Sequence, residues 1–248
     1  IYTISLHDAL PISTNMISKY KTPMGAYLPL TTIGIISLLL LFKLPETKKS
    51  KDIKLNLGQL IEIFKDPVSF KSLLIVFLIL SAPTMFYGFL GIYMSNYFKL
   101  SQVEVGYIYS LIAIGTILGI IFATIFTDRI GKERLSKVLL TLLLLALIPI
   151  VFSKSMWIMV GALIIAAIGL DGGWTAYQTL CSEINPQKRG TFMSLFYTIN
   201  AITITVFSIL GPIFYNIGGY RLITIISLIN ISIGLKIFYS MSIEEEIS

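Results

Sequence analysis

The chain is written in long apolar runs separated by short polar gaps. Seven runs stand out, at about 25–45, 72–97, 105–127, 138–153, 156–180, 191–217 and 221–240. Their lengths bracket the roughly 20 residues that a helix needs to cross a hydrocarbon core about 30 Å thick. They do not alternate apolar with polar residues, as the strands of a membrane barrel do. A helix also satisfies its own backbone hydrogen bonds where no water can. The pattern predicts an all-α membrane protein with seven transmembrane helices.

Composition agrees. Hydrophobic residues make up 55% of the chain and charged residues 13%, about half the charged share of an ordinary soluble domain. Mean hydropathy is +0.84. The net charge of +6 would suggest nucleic acid in a soluble protein, but here the basic residues are sorted by gap. Lys48, Lys49, Lys51, Lys54, Lys65 and Lys71 follow the first run, Arg129, Lys132, Arg134 and Lys137 the third, and Lys188 and Arg189 the fifth. The alternate gaps carry only Lys99, Lys154 and Arg221, while Lys19 and Lys21 on that side weaken the contrast without reversing it. Short basic loops stay in the cytoplasm. The expected protein is therefore multi-pass in the plasma membrane, with the three rich gaps and the C-terminus cytoplasmic and no nucleic-acid partner.

Segments outside the runs divide the chain further. Ser5 to Ile12 looks like the conceptual translation of a sequencing-library adapter, and the chain opens on Ile1. The expectation is a non-native segment at 1–13 on a fragment of a longer protein. His7, the only histidine, falls in it, so no histidine chemistry is expected. Next come a transmembrane helix at 14–45, a linker at 46–71, a six-helix bundle at 72–240 and an acidic tail at 241–248. Within the linker, Leu57, Leu60, Ile61 and Phe64 recur at helical spacing, as in a short amphipathic helix lying on the membrane surface. Cys181 is the only cysteine, which leaves neither a disulfide nor a cysteine metal site.

Asp171 is the most informative residue. Every other acid from residue 14 onward lies in a loop, at a run end or in the tail, whereas Asp171 lies well inside 156–180. An acid there costs about 2.5–3.5 kcal/mol on insertion scales, so it must face protein or a wet cavity. Thr175, Gln178 and Ser182 continue its helical face, with Trp174 beside it. One reading is a cavity-lining carboxylate that binds a proton or a cationic substrate, since burial disfavours the charged form and a proton-coupled step draws on that property. The other is a structural acid satisfied by a neighbouring helix. Gly172 and Gly173 follow directly and are expected to loosen the helix. Ser81 and Thr84 with Pro83 in the second run stand on a polar face, and Thr198 in the sixth on the stripe Ser194, Thr198, Ala201, Thr205 and Ser208, with Asn200 off it. Ser81, Thr84, Thr198 and Asn200 are the further cavity-lining candidates. Gly115, Gly119 and Ala123 in the third run suit close helix packing. The fourth run is apolar all round apart from Thr141, as a lipid-facing helix is.

The gap after the third run reads Asp128-Arg129-Ile130-Gly131-Lys132-Glu133-Arg134. It resembles the loop signature Gly-x-x-x-Asp-Arg-x-Gly-Arg-Arg of the major facilitator superfamily, with Thr124 in place of the first glycine and Lys132 and Glu133 in place of two basic residues. Pro186-Gln187-Lys188-Arg189-Gly190, Gly211-Pro212 and Gly218-Gly219-Tyr220-Arg221 are similar to that family's later links, and Leu44-Pro45-Glu46 to the close of an earlier helix. Asn15 to Lys21 also echoes Asn216 to Arg221, as two equivalent places in a repeated fold would. The resemblance implies that the seven runs are the family's helices six to twelve and that the last six form its C-terminal six-helix bundle. It implies a transport path bordered by helices seven, eight, ten and eleven, with nine and twelve outside. It implies also that Asp128, Arg129, Gly131, Lys132 and Arg134 form a cytoplasmic loop motif. There an acid beside a helix N-terminus acts as a latch, or the loop is simply a tight turn that sets topology.

The expected function is a secondary transporter working by alternating access, exporting a small molecule in exchange for protons. Its partners are lipid, substrate, protons and a missing N-terminal half. A solute–proton symporter and a non-transporting seven-helix protein remain as alternatives. Nothing resembles a nucleophile–base pair or a phosphate-cradling loop, so neither an enzyme nor a cofactor is expected.

Overall fold

The computed structural model describes residues 24–41 and 57–243. The expectations for 1–13, Asn15 to Lys21, Leu44 to Glu46, Lys48 to Lys54 and the tail's Glu244 to Glu246 lie outside them. Among the described residues there is no strand. Helix α1 is Met24–Leu41, α2 Leu57–Lys65, α3 Pro67–Tyr97, α4 Gln102–Ile130, α5 Lys132–Phe152, α6 Met156–Cys181 and α7 Arg189–Tyr239, the last preceded by a 3-10 turn at Pro186–Lys188.

Each boundary has a local cause. Asp66 caps α3, its carboxylate accepting the Ser69 N–H at 2.9 Å, and Pro67 occupies the first turn. The helix thus starts before the apolar run at 72 does. Ser101 and Glu104 cap α4 reciprocally. Between α4 and α5 the chain reverses on Gly131 alone, at φ +95°, where a side chain would be strained. The 54 residues of Pro186–Tyr239 would reach about 80 Å as one rod, more than twice the thickness of a hydrocarbon core. Gly218 and Gly219, the latter at φ +63°, break α7 into arms at 189–217 and 220–239. Five helical stretches, from α3 through α7, are long and apolar enough to span a membrane. With α7 crossing twice, they form the six-helix bundle.

Helix α6 lies between α4 and α5, and glycines set both spacings. A Cβ on Gly119 would stand 2.6 Å from the Ile168 carbonyl, and one on Gly172 2.8 Å from the Gly119 carbonyl. On the other side a Cβ on Gly169 would meet the Leu143 backbone at 2.6 Å, and one on Gly173 the Leu140 side chain at 2.8 Å. Gly172 and Gly173 therefore do not loosen α6. They let two helices close on it. Helix α3 packs along both arms of α7, and Asn230 of the second arm donates to Ser81 Oγ at 2.8 Å.

The basic gaps meet at one end of the bundle. Lys132 pairs with Glu183 at 2.6 Å, Lys188 with Glu62 of α2, and Lys137 donates to the Met241 carbonyl at 2.9 Å. Helix α2 is anchored there by Ile63, 1% exposed, while Ile61 and Phe64 point outward. Ile63 and the Glu62 pair make its contact with the bundle. Helix α1 presents Ile35, Leu38, Leu39 and Leu40 at its surface, an apolar face that lipid or further protein must cover.

Candidate functional site

Four elements line an open cavity of about 1070 Å³: α3, α4, α6 and the first arm of α7. Helix α5 and the second arm of α7 contribute nothing to it. Along α6 the polar face runs Asp171, Thr175, Gln178 and, at its end, Ser182, at the i, i+4, i+7 spacing that aligns residues on a helix. Asp171 is half-buried, and its Oδ2 accepts a hydrogen bond of 2.7 Å from Thr116 Oγ1 on α4. Thr175 Oγ1 returns to the Asp171 carbonyl at 2.7 Å. Trp174 packs on Phe196 of α7 with ring centroids 5.0 Å apart. Gln178 Nε2 donates to the Tyr197 hydroxyl. Across the space, Tyr109 of α4 donates to the Tyr87 carbonyl of α3 at 3.0 Å. Thr84 and Pro83 face the cavity from α3, and Asn200 faces it from α7. Among the described residues, Asp171 is the single carboxylate in this wall and Arg189, near one end, the single guanidinium. The Arg189 guanidinium donates to Ser182 Oγ at 3.2 Å.

Of the residues singled out from sequence, the structure brings Asp171, Thr84, Trp174, Thr175, Gln178 and Asn200 together around this space. Two lie elsewhere. Ser81 is fully buried against α7's second arm, and Thr198 is exposed on α7 outside the cavity lining, donating to the Ser194 carbonyl at 2.8 Å. The cavity face of α7 is Arg189, Met193, Tyr197, Asn200, Ile204 and Ser208, one residue off the expected hydroxyl stripe except at Ser208. Sequence reasoning also passed over Thr116 and Tyr109. Their positions, with Ile112, Ala113 and Ile120, follow helical spacing on α4, and that periodicity was the available signal.

The loop motif is a separate feature at the bundle end. Asp128, Arg129 and Arg134 are exposed, and Asp128 bonds to no described residue. Gly131 makes the turn. The inter-helix contact is made by Lys132 through Glu183, at the α6–α7 junction.

The four-helix border of the cavity, with α5 and the last arm outside, coincides with the arrangement that the loop motif implied. The sequence profile of the Major Facilitator Superfamily matches residues 73–241, well over half of the chain. The chain belongs to the Major Facilitator Superfamily. It is a multi-pass membrane protein with that superfamily's helical fold. Among solved structures it is similar to a bacterial homologue of the iron transporter ferroportin in its outward-facing state, at 18% identity and TM-score 0.71, covering 93% of this chain and 59% of that one. An iron-soaked outward-facing structure of such a homologue gives 20% identity and TM-score 0.63, covering 72% and 47%. A bacterial homologue of the human lysosomal transporter Spinster, inward-facing and unoccupied, gives 16% and 0.60, covering 88% and 57%. Identities this low establish the fold alone. The chain spans about half the length of these structures. No curated protein matches it.

Proposed function

We propose that the chain supplies one lobe of a secondary transporter that works by alternating access, with the cavity as its half of the path. It exports a small molecule in exchange for protons, and Asp171 is the coupling residue. The observation that carries the reading is a carboxylate inside the membrane-spanning part, set in the wall of a cavity large enough for a drug-sized molecule. Membership of the superfamily and the likeness to transporter folds support transport over a non-transporting bundle or an enzyme. The basic end, where α2, the α4–α5 turn and the α6–α7 junction meet, is the cytoplasmic end by the positive-inside rule. That orientation belongs to a plasma-membrane protein whose C-terminus is cytoplasmic and whose second lobe lies N-terminal to this one.

One neighbour carries soaked iron, and an organic cargo suits this lobe better. Transition-metal sites favour imidazole, thiolate or several carboxylates, whereas this wall offers one carboxylate, neutral hydroxyls and amides, and the rings of Tyr87, Phe89, Tyr109, Trp174 and Tyr197. The test is reconstitution of the full-length protein with a pH-sensitive dye trapped inside the vesicles and organic solutes supplied outside. Wild type moves protons opposite to its solute, and Asp171→Asn does not. Proton coupling by Asp171→Asn at the wild-type rate across pH refutes the role, and protons moving with the solute refute exchange.

A further inference from the structure

We infer that the cavity is selective for a monovalent organic ammonium or phosphonium with an aromatic-sized apolar body, an inference that rests on reading the cavity as a solute path. Two recognition elements for such a cation stand one helical turn apart on α6. Asp171 supplies the charge, and Trp174, the aromatic ring that attracts cations best, supplies a face. Neither is loosely held. Asp171 is tied to Thr116 at 2.7 Å, and the indole is packed against Phe196 at 5.0 Å and Tyr177 at 6.3 Å. Tyr87 and Tyr109 add two more rings from α3 and α4, the second fixed by its hydrogen bond to the Tyr87 carbonyl.

Leu80, Ile112 and Leu170 add apolar surface to the same wall, which suits a cation that carries its own apolar groups and has little hydration to lose. An anionic solute would find its cationic partner only at Arg189. That group bonds Ser182, eleven residues beyond Asp171 on α6, or about 16 Å along the helix. At that separation Arg189 cannot ion-pair with Asp171 or with a solute held beside it.

The test uses two ions of nearly identical shape and opposite charge, tetraphenylphosphonium and tetraphenylborate, with the neutral triphenylphosphine oxide as a third probe. Equilibrium binding is measured on the purified full-length protein in detergent, counting only what an excess of unlabelled probe displaces. The cation binds saturably and the other two at least tenfold more weakly. Asp171→Asn weakens the cation at least tenfold, Asp171→Glu keeps most of its binding, and Trp174→Leu loses more than Trp174→Phe. A monodisperse elution profile and the Glu variant's binding separate a lost site from a lost fold. Equal or tighter binding of the borate, undiminished cation binding by Asp171→Asn, or no saturable binding by the cation overturns the inference. Binding is read without transport. A protein that binds the cation but moves no protons refutes the transport reading alone, and one that couples protons to a neutral or anionic solute refutes this inference alone.

Discussion

Gly119 is where a single methyl group should do measurable harm. Its Cβ would sit 2.6 Å from the Ile168 carbonyl, 2.9 Å from the Ile168 Cα and 3.1 Å from the Gly172 nitrogen. All three are backbone atoms, so no side chain can swing aside. Ordinary contact begins at 3.4 Å, so Gly119→Ala must part α4 from α6 by about 0.8 Å, and overpacking of this kind costs roughly 1–3 kcal/mol. The same displacement stretches the Thr116–Asp171 hydrogen bond, one turn away, from 2.7 Å to about 3.5 Å, past the useful range. Gly88→Ala is the control, since its added methyl meets nothing within 4 Å and gains up to about 1 kcal/mol of helix propensity. Thermal unfolding of the full-length protein, followed by size-exclusion fluorescence, compares the two. Gly119→Ala lowers the midpoint and Gly88→Ala holds or raises it. Equal midpoints would show that the helices do not touch through this glycine, and the account of how Asp171 is positioned would fail with it.

Other outcomes follow from the bundle end. Gly131→Ala, at φ +95°, should cost about 1–3 kcal/mol of backbone strain, read as a lowered unfolding midpoint with α4 and α5 still formed by circular dichroism. Single cysteines at Lys132 and Lys188, in a Cys181→Ser background, should react with a membrane-impermeant maleimide from the same side as one at Glu62, and opposite-side reactivity would undo the orientation. Lys188 holds the Glu62 carboxylate below its ordinary value of 4.5. A depressed carboxylate contributes above its unfolded value and loses that contribution as pH falls through the folded one. The protection of α2 amides, as exchange relative to the intrinsic rate at each pH, should therefore fall below about pH 4.5, and also in high salt at neutral pH. Lys188→Gln should show the lower protection at every pH.

The helices and their order were legible because lipid leaves the backbone no alternative. The two tight junctions were legible because Gly131 marks one and Gly218 with Gly219 the other. The start of α3 was not read from apolar character, because Asp66 and Pro67 nucleate the helix ahead of it. Asp171 was legible because a carboxylate inside a long apolar run is too costly to leave facing lipid. The facing of α7 was not, for a physical reason. Ser194, Thr198 and Thr205 each return their hydroxyl to a carbonyl four residues back, so they can face away from any cavity at little cost. A small hydroxyl residue is thus a poor marker of a polar wall, while Tyr197 and Asn200, whose polar groups extend farther from the backbone, mark it.

The placement of Asp171 shows how chemistry at one residue depends on residues without any. Its cost of about 2.5–3.5 kcal/mol in a spanning helix is comparable with a hydrogen bond to a charged group, about 1.5–3 kcal/mol, so the Thr116 donor offsets much of it. That donor reaches the carboxylate only because α4 and α6 approach as closely as Gly115, Gly119 and Gly172 allow. Spacing α6 from α5 falls in the same way to Gly169 and Gly173. Asp171 therefore stands on a helix clamped from two sides, and its position is fixed relative to α4 and α5 together. The clamp is made of glycines at four-residue spacing, a pattern that signals packing and gives no hint of the carboxylate it positions.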